Sequence, residues 1–139
     1  MCQNETINLY HIDTVNTFTW IYWNIMSKRK GTVLIIDDDE DVLITGKMII
    51  RSHYENIITE TSPKNYASVI QKHDPDVIIL DMNYKTGATS GNEGLFYLRE
   101  IRKLDSTIKV LMNTAYGDIQ LAVECMKEGA LDFIVKPWE

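Results

Sequence analysis

The sequence predicts an α/β domain built on a doubly wound, five-stranded parallel sheet. From residue 31 onward, short apolar runs alternate with stretches whose apolar residues recur at helical spacing. The apolar runs are continuous rather than alternating, which is typical of strands that helices cover on both faces. The chain has 139 residues, of which 45% are hydrophobic and 24% charged, and this composition suits one globular domain.

The first half of the domain contains two strands and two helices. Residues 32–36 read TVLII and are continuously apolar, which predicts the first buried strand. Residues 40–52 carry apolar side chains near helical spacing, which predicts the first helix. A second, more polar strand is expected over 56–61. Ser62 is a favoured helix cap and is followed by proline, so a second helix is expected over 63–73.

The second half repeats this alternation. Residues 77–80 read VIIL and predict a third buried strand between two aspartates. The apolar residues of 92–104 recur at helical spacing, which predicts a helix, and 108–112 predict the fourth strand. A helix over 118–128 is closed by the glycine that follows it, and the last strand is expected over 132–135. Because crossovers between parallel strands are right-handed, the helices should cover both faces of the sheet.

Residues 1–30 differ in composition and are interpreted as an extension that precedes the domain at 31–139. They are rich in threonine, asparagine and aromatic residues, and their most apolar run, 18–26, is nine residues long. A membrane span needs about twenty apolar residues, so no membrane anchor is expected. Cys2 and Cys125 match neither a disulfide framework nor a zinc site, which favours a reducing, cytoplasmic setting.

The charge balance argues against direct binding of nucleic acid. Lysine and arginine number 14, whereas aspartate and glutamate number 20, so the net charge is −6. Nucleic-acid-binding surfaces are basic, because they neutralise phosphates. The function is therefore expected to lie elsewhere.

The residues that follow the predicted strands are the most informative feature of the sequence. Four strands are followed by polar side chains, namely Asp37 and Asp38, Asp81, Thr114, and Lys136. The carboxyl ends of parallel strands meet at one edge, where open α/β sheets bind their ligands. We therefore expect these side chains to lie close together.

This set of side chains suits a metal ion and a phosphoryl group. Carboxylates held together repel one another unless a cation neutralises them, and Mg²⁺ takes one or two carboxylates with other oxygens. A Mg²⁺ site is therefore predicted at Asp37, Asp38 and Asp81. The Lys136 ammonium and the Thr114 hydroxyl are donors that phosphoryl oxygens accept. Taken singly, each side chain has a simpler explanation as a solvated charge or a helix start; taken together they favour the site.

Four segments together resemble the receiver domain of two-component response regulators: VLIIDDDEDV, VIILDMN, LMNTAYGD and GALDFIVKP. The resemblance runs from residue 31 to the C-terminus, with the segments in the order of that family. It implies a flavodoxin-like fold and a phosphorylation-dependent switch. It also implies that the chain is not an enzyme, since self-phosphotransfer and autodephosphorylation are its only chemistry.

The resemblance implies a role for each acidic residue of the predicted site. Asp81 resembles the aspartate that accepts a phosphoryl group from the phosphohistidine of a sensor histidine kinase. Asp37 and Asp38 resemble the acidic pair that holds Mg²⁺ together with that aspartate. The backbone carbonyl of Asn83 is the implied further ligand of the ion.

The resemblance also implies a set of switch residues. Thr114 resembles the hydroxyl that moves onto the phosphoryl group, helped by the Ala115 amide. Lys136 resembles the lysine that bridges to the same oxygens, and its bond to Pro137 is commonly cis in the family. Phe133 occupies the aromatic switch position. The surface formed by the last helix and the last strand is then expected to change what it binds.

Two longer stretches indicate which subset of receiver domains the chain resembles. DMN…GNEGLFYLREIRK and TAYGDIQLAVECMKEGALDF are similar to receivers of nitrogen-regulatory-type enhancer-binding transcription activators. If the chain is a fragment of such a regulator, the implied downstream partners are an ATPase domain and a DNA-binding domain.

The end of the sequence departs from the family. Receivers normally continue into a fifth helix, whereas this sequence has two residues after Pro137, so the final helix is expected to be missing. In one interpretation the extension replaces that helix, with residues 7–26 docking on the uncovered face in cis or across a homodimer. In the other, the extension is not native to the domain.

Two other functions remain open at this point. A Mg²⁺-dependent phosphatase of the haloacid-dehalogenase type also uses an Asp-x-Asp pair after a strand, here Asp37 and Asp39, with a threonine and a lysine. That family favours Thr or Val where this chain has Asp41. The other alternative is a pseudo-receiver, a binding module that never takes phosphate, although the complete set of site residues argues against it.

Overall fold

A computed structural model describes residues 29–84, 92–115 and 119–138 of the chain. Five strands and four α-helices alternate along these residues: β1 (Arg29–Ile36), α1 (Glu40–Ile50), β2 (Tyr54–Glu60), α2 (Tyr66–His73), β3 (Val77–Asp81), α3 (Asn92–Leu104), β4 (Lys109–Thr114), α4 (Ile119–Lys127) and β5 (Asp132–Val135). All strand pairs are parallel, and the sheet order is β2-β1-β3-β4-β5. The predicted fold class, a flavodoxin-like parallel α/β sheet, is confirmed.

Two strands are longer than their apolar runs predicted. β1 begins at Arg29, because this residue already pairs with Tyr54 of β2. β4 continues through Asn113 and Thr114, since both residues pair with β5. An apolar run marks the buried part of a strand, whereas backbone pairing continues through polar residues. This extension of β4 brings Asn113 and Thr114 to the edge of the sheet where the predicted site lies.

The start of the second helix also differs from the prediction. Ser62 caps it as expected, with its Oγ accepting a hydrogen bond from the Lys64 N–H at 3.3 Å. The first turn, Pro63–Asn65, is a 3₁₀-helix, and the α-helix begins only at Tyr66. The backbone of Asn65 (φ −99°, ψ 18°) leaves the α-helical region, so one helix over 63–73 is corrected to two short segments.

Helices cover both faces of the sheet, as the doubly wound prediction requires. Leu34 and Ile36 of β1 pack in the larger apolar cluster, to which α2, α3 and α4 contribute. Val33 and Ile35 pack on the opposite face, in a smaller cluster to which α1 contributes and against which Trp138 packs. Alternate residues of one strand therefore support two separate cores.

The beginning of α3 lies directly against the backbone that follows β3. The Gly94 N–H donates to the Met82 carbonyl at 3.3 Å. A Cβ at Gly94 would stand 2.6 Å from the Met82 Cα, closer than real side chains approach. Only glycine permits this contact, which holds the chain next to Asp81 close to α3.

The predicted extension falls almost wholly outside the described residues. Of residues 1–30, the structure describes Arg29 and Lys30, which belong to β1. The predicted docking of residues 7–26 therefore stays a prediction. Within residues 29–84, 92–115 and 119–138, no helix is long and apolar enough to cross a membrane.

Candidate functional site

Two buried aspartates stand at the carboxyl ends of the central strands. Asp37 directly follows β1, and Asp81 is the last residue of β3. The two strands are neighbours with Ile36 paired to Leu80, so the residues beyond this pair begin side by side. Asp37 is 0% exposed and Asp81 is 2% exposed. This is the point where the strand order reverses, and open α/β sheets bind ligands there.

Lys136 joins the two carboxylates. Its Nζ lies 2.7 Å from Asp37 Oδ2 and 2.9 Å from Asp81 Oδ1. Its backbone N–H donates to the Thr114 carbonyl at 2.8 Å, which fixes where the side chain starts. Its bond to Pro137 is cis, as the resemblance implied. The structure thus brings the ammonium and both carboxylates together, as the positions of the strand ends predicted.

The Asp81 carboxylate is electrostatically unusual. Burial raises its pKa from 3.8 to about 6, although the hydrogen bond from Lys136 lowers it, and the charge of Asp37 raises it again. Its Oδ2 atom is buried and has no hydrogen-bond partner among the described residues. A buried carboxylate oxygen without a donor is a site at which a cation or a new covalent bond would be favourable.

The Lys136 ammonium remains charged in this environment. Burial on its own would lower the pKa of Lys136, but the hydrogen bonds from its ammonium to Asp37 and Asp81 outweigh burial and raise the pKa above its usual value. One cation therefore faces two buried carboxylates. The site has less positive than negative charge when those carboxylates are ionised.

Asp38 completes a cluster that fits a hard divalent cation. One oxygen from each of Asp37, Asp38 and Asp81 lies within 4.8 Å of the others. Mg²⁺ prefers such carboxylate oxygens and keeps several waters, and the unpartnered Asp81 oxygen provides a vacant ligand atom. The donor set therefore fits the predicted Mg²⁺. Asn83 is exposed beside it, and its backbone N–H lowers the pKa of Asp81; the ligand role of its carbonyl stays a prediction.

Of the predicted switch residues, Thr114 and Ala115 lie at the carboxyl end of β4, whereas Phe133 lies within β5 and pairs with Met112. Thr114 is buried, and its Oγ1 donates to the Ala115 carbonyl at 3.0 Å rather than to Asp81. Ala115 is exposed, and Phe133 on β5 is 41% exposed. The hydroxyl is therefore turned toward its own backbone in this structure. The switching roles of Thr114, Ala115 and Phe133 stay predictions.

Two residues to which the sequence assigned no role are hydrogen bonded to the site. Asn113 Nδ2 donates to Asp37 Oδ2 at 3.1 Å, and Trp138 Nε1 donates to Asn113 Oδ1 at 2.9 Å. The signal for Asn113 was an amide at the end of an otherwise apolar strand. Trp138 had no comparable signal, because its contact depends on how the chain turns after β5.

Tyr84 is a third residue that the sequence did not single out. Its ring is buried in the larger core, and its hydroxyl donates to the Ile36 carbonyl at 3.5 Å. Burial raises its pKa, and the charges of Asp81 and Asp37 raise it further, so the phenol stays neutral. It connects the residues beyond β3 to the end of β1.

Asp39 is kept away from the acidic cluster by its role in a helix. Its side chain accepts from the Asp41 N–H at 3.0 Å and caps α1, while its own N–H donates to Asp37 Oδ1 at 3.0 Å. A haloacid-dehalogenase-type site needs the second aspartate of Asp-x-Asp beside the reacting group. The carboxylate that joins Asp37 at Lys136 is Asp81, so this geometry does not support the phosphatase alternative.

The fold and the site together define a class of protein. It is a parallel α/β domain whose central strands end in buried carboxylates bridged by the lysine that follows the last strand. Residues 33–139 match the family described as the response regulator receiver domain. The chain belongs to this family, and the predicted resemblance is confirmed.

Proteins of known sequence and structure agree with this assignment. The transcriptional regulatory protein ZraR of Escherichia coli is 29% identical over 76% of this chain and 23% of its own length. The chemotaxis protein CheY of Bacillus subtilis is 27% identical over 77% of the chain and 86% of its own. A receiver domain of a two-component response regulator from Bacteroides fragilis is 41% identical, with a TM-score of 0.71 over 80% of this chain and 88% of its own.

The relatives include proteins much longer than this chain. NtrX from Brucella abortus has a TM-score of 0.71 and is 26% identical over 80% of this chain, but this covers 24% of that protein. The chain likewise spans about a quarter of the length of the ZraR and AlgB transcriptional regulatory proteins that it matches. Their names agree with the predicted resemblance to receivers of transcription activators.

Proposed function

We propose that Asp81 accepts a phosphoryl group from the phosphohistidine of a sensor histidine kinase. The observation that supports this most directly is the pairing of Lys136 with both buried carboxylates, which leaves one Asp81 oxygen without a partner. A nucleophile needs an available oxygen, and the transferred group needs a fixed cation beside it. Both are present at one sheet edge.

In the proposed step, an ionised Asp81 oxygen attacks phosphorus as the phosphorus–nitrogen bond of phosphohistidine breaks. The imidazole leaves with the bonding electron pair, and an acyl phosphate forms on Asp81. Lys136 has donors to spare for the phosphoryl oxygens once Asp81 Oδ1 is released from its hydrogen bond. Mg²⁺ bound by Asp37, Asp38 and Asp81 would supply further charge neutralisation, with the Asn83 carbonyl as a proposed additional ligand.

The response to phosphorylation is proposed to run through β4 and β5. The Thr114 hydroxyl leaves the Ala115 carbonyl and donates to the new phosphoryl oxygens, assisted by the Ala115 amide. Phe133 then moves into the vacated space. The surface of α4 and β5 already exposes apolar side chains, namely Ile119, Val123, Met126, Phe133 and Val135. A two-state rearrangement there changes which partner this surface binds.

The wider setting is proposed from the family and from the longer relatives. The chain acts in the cytoplasm as a phospho-acceptor rather than as an enzyme, and its output regulates transcription. In a longer regulator, ATPase and DNA-binding domains would follow it, and two receivers would associate as a homodimer. Direct contact of this chain with nucleic acid is not part of the proposal, because its net charge is −6.

Incubation with acetyl phosphate and Mg²⁺ tests the proposed chemistry. Intact-protein mass spectrometry should show the mass gain of one phosphoryl group, lost when Mg²⁺ is chelated. Asp81→Asn should abolish the gain. Asp39→Asn is the matched control, because asparagine is an equally good helix cap and Asp39 faces α1.

The outcomes separate the alternatives. Modification that survives Asp81→Asn would refute the assignment of the acceptor. Catalytic release of phosphate that is lost in both Asp37→Asn and Asp39→Asn would indicate a phosphatase instead. A chain that takes no phosphoryl group from acetyl phosphate, and no beryllofluoride with Mg²⁺, would be a pseudo-receiver.

A further inference from the structure

A continuous chain of side-chain hydrogen bonds connects the acidic cluster to Trp138. Trp138 Nε1 donates to Asn113 Oδ1 at 2.9 Å, and Asn113 Nδ2 donates to Asp37 Oδ2 at 3.1 Å. Asp37 Oδ2 also accepts from Lys136 Nζ at 2.7 Å. The chain spans from the end of β1, across the end of β4, to the residues that follow β5.

The chemistry of these groups fixes the direction of every bond. An indole N–H can only donate, and an ionised carboxylate can only accept. The residue between them must therefore offer one acceptor and one donor on a short side chain, which is what an asparagine amide provides. An apolar residue at 113 could make neither bond, and an aspartate would set a second negative charge against Asp37.

Packing on α1 holds the indole in this position. The Trp138 ring lies against Gly46 of α1 so closely that a Cβ at residue 46 would overlap it. The ring also packs against the smaller core cluster of Val33, Ile35, Leu43 and Ile79. Contacts with α1 and the sheet therefore fix the position of Trp138. The hydrogen bonds through Asn113 then hold the Asp37 carboxylate relative to that position.

We propose that Asn113 and Trp138 are positioning residues for Asp37. They hold one carboxylate of the Mg²⁺ and phosphorylation site in place and connect that site to the segment packed on α1. Hydrogen-bonded partners of ligating carboxylates orient the ligand, and their loss typically weakens metal binding by about 10–100-fold. The inference rests on the proposed function of the acidic cluster, but its test does not need phosphoryl transfer.

The test is calorimetric titration of the full chain with Mg²⁺ alone. Asn113→Leu should raise the Mg²⁺ dissociation constant about tenfold, because it removes a donor from Asp37 directly. Trp138→Phe keeps an aromatic ring on Gly46 but lacks the N–H, and should raise the constant by on the order of threefold. Tyr66→Phe is the control, since it removes a tyrosine hydroxyl bonded to Glu100, and should leave the constant unchanged.

The double variant Asn113→Leu/Trp138→Phe discriminates positioning from general destabilisation. If Trp138 acts through Asn113, the double variant should bind Mg²⁺ as Asn113→Leu does. If the double variant instead raises the Mg²⁺ dissociation constant by the product of the two single effects, the proposed chain of hydrogen bonds is wrong. An unchanged dissociation constant in Trp138→Phe would also overturn it. Thermal unfolding checks that each variant is folded, and Trp138→Phe alone keeps the test decisive if Asn113→Leu does not fold.

The experiments also distinguish an error in the proposed function from an error in the proposed positioning role. A wild-type chain that binds Mg²⁺ but takes no phosphoryl group on Asp81 would refute the acceptor role and leave the Mg²⁺ comparison intact. A wild-type chain without measurable Mg²⁺ binding would refute both.

Discussion

Replacing the buried carboxylate of Asp81 by an amide should stabilise the protein in the absence of Mg²⁺. The pKa of Asp81 is raised from 3.8 to about 6, mainly by burial. A carboxyl group that holds its proton more tightly when folded makes folding less favourable wherever the unfolded chain would be ionised. Asp81→Asn resembles the protonated form at every pH, so it removes this penalty.

The size of the effect follows from the two pKa values. A pKa of about 6 in place of 3.8 corresponds to roughly 3 kcal/mol, at about 1.36 kcal/mol per pKa unit. The wild type loses this stability relative to Asp81→Asn as pH rises from about 4 through about 6. The gap is therefore about 3 kcal/mol at pH ~8 and about 1 kcal/mol at pH ~4.5. In a domain of this size, the larger gap is a difference of about 10 °C in melting temperature.

The measurement is urea unfolding of both chains in buffers with a chelator, from pH ~4.5 to pH ~8. Asp39→Asn, which keeps the cap of α1, should stay within about 0.5 kcal/mol of the wild type throughout. Mg²⁺ at about 100 times its dissociation constant should restore about 2.7 kcal/mol to the wild type and nearly close the gap. Equal stability of wild type and Asp81→Asn at pH ~8 without Mg²⁺, or a gap that does not shrink toward acid, would refute the electrostatic reasoning.

Three further changes test other parts of the structure. Lys136→Met leaves two buried carboxylates without their cation, so the free energy of unfolding without Mg²⁺ should fall by about 3 kcal/mol. Phosphorylation of this variant by acetyl phosphate should be about a hundredfold slower. Gly46→Ala, which stabilises an ordinary helix by up to about 1 kcal/mol, should here displace Trp138, shown by altered tryptophan fluorescence and by weaker Mg²⁺ binding. Leu98→Ala, at a site 0% exposed, should cost about 3 kcal/mol in urea unfolding, whereas Phe96→Ala on the exposed side of the same helix should cost less than 1 kcal/mol.

The residues of the site could be predicted from the sequence because the topology of a parallel sheet determines which strand ends lie close together. Continuous apolar runs identified parallel strands, and parallel strands bring their carboxyl ends to one edge. Asp37, Asp81 and Lys136 come from distant parts of the chain, yet each directly follows or ends a strand in the structure. Asp37 and Asp81 stand at the ends of neighbouring strands, so their proximity needs no knowledge of side-chain rotamers, whereas Lys136 follows β5 and reaches both carboxylates past the end of β4 through its long side chain.

Features that depend on side-chain direction could not be predicted in the same way. The sequence predicted that Thr114 lies at the sheet edge, but it could not predict that the hydroxyl donates to the Ala115 carbonyl. Asn113 directly follows the predicted strand over 108–112, but the role of its amide becomes evident only from the hydrogen bond that the Trp138 indole donates to it. The path of the chain after β5 decides that contact, and neither apolar periodicity nor strand order constrains this path.

The hydrogen bonds at the end of β4 also indicate where the structural change proposed to follow phosphorylation of Asp81 would begin. The end of β4 is held from two directions, since the Thr114 carbonyl accepts from the Lys136 N–H and the Asn113 amide accepts from Trp138. Lys136 is at the same time bonded through its side chain to both carboxylates. In the proposed mechanism, a phosphoryl group that draws the Lys136 ammonium toward new oxygens acts on a residue whose backbone is hydrogen bonded to the end of β4. The proposed rearrangement of the α4 and β5 surface is therefore expected to begin at the junction of β4 and β5, because Lys136 belongs to the site by its side chain and to the strand ends by its backbone.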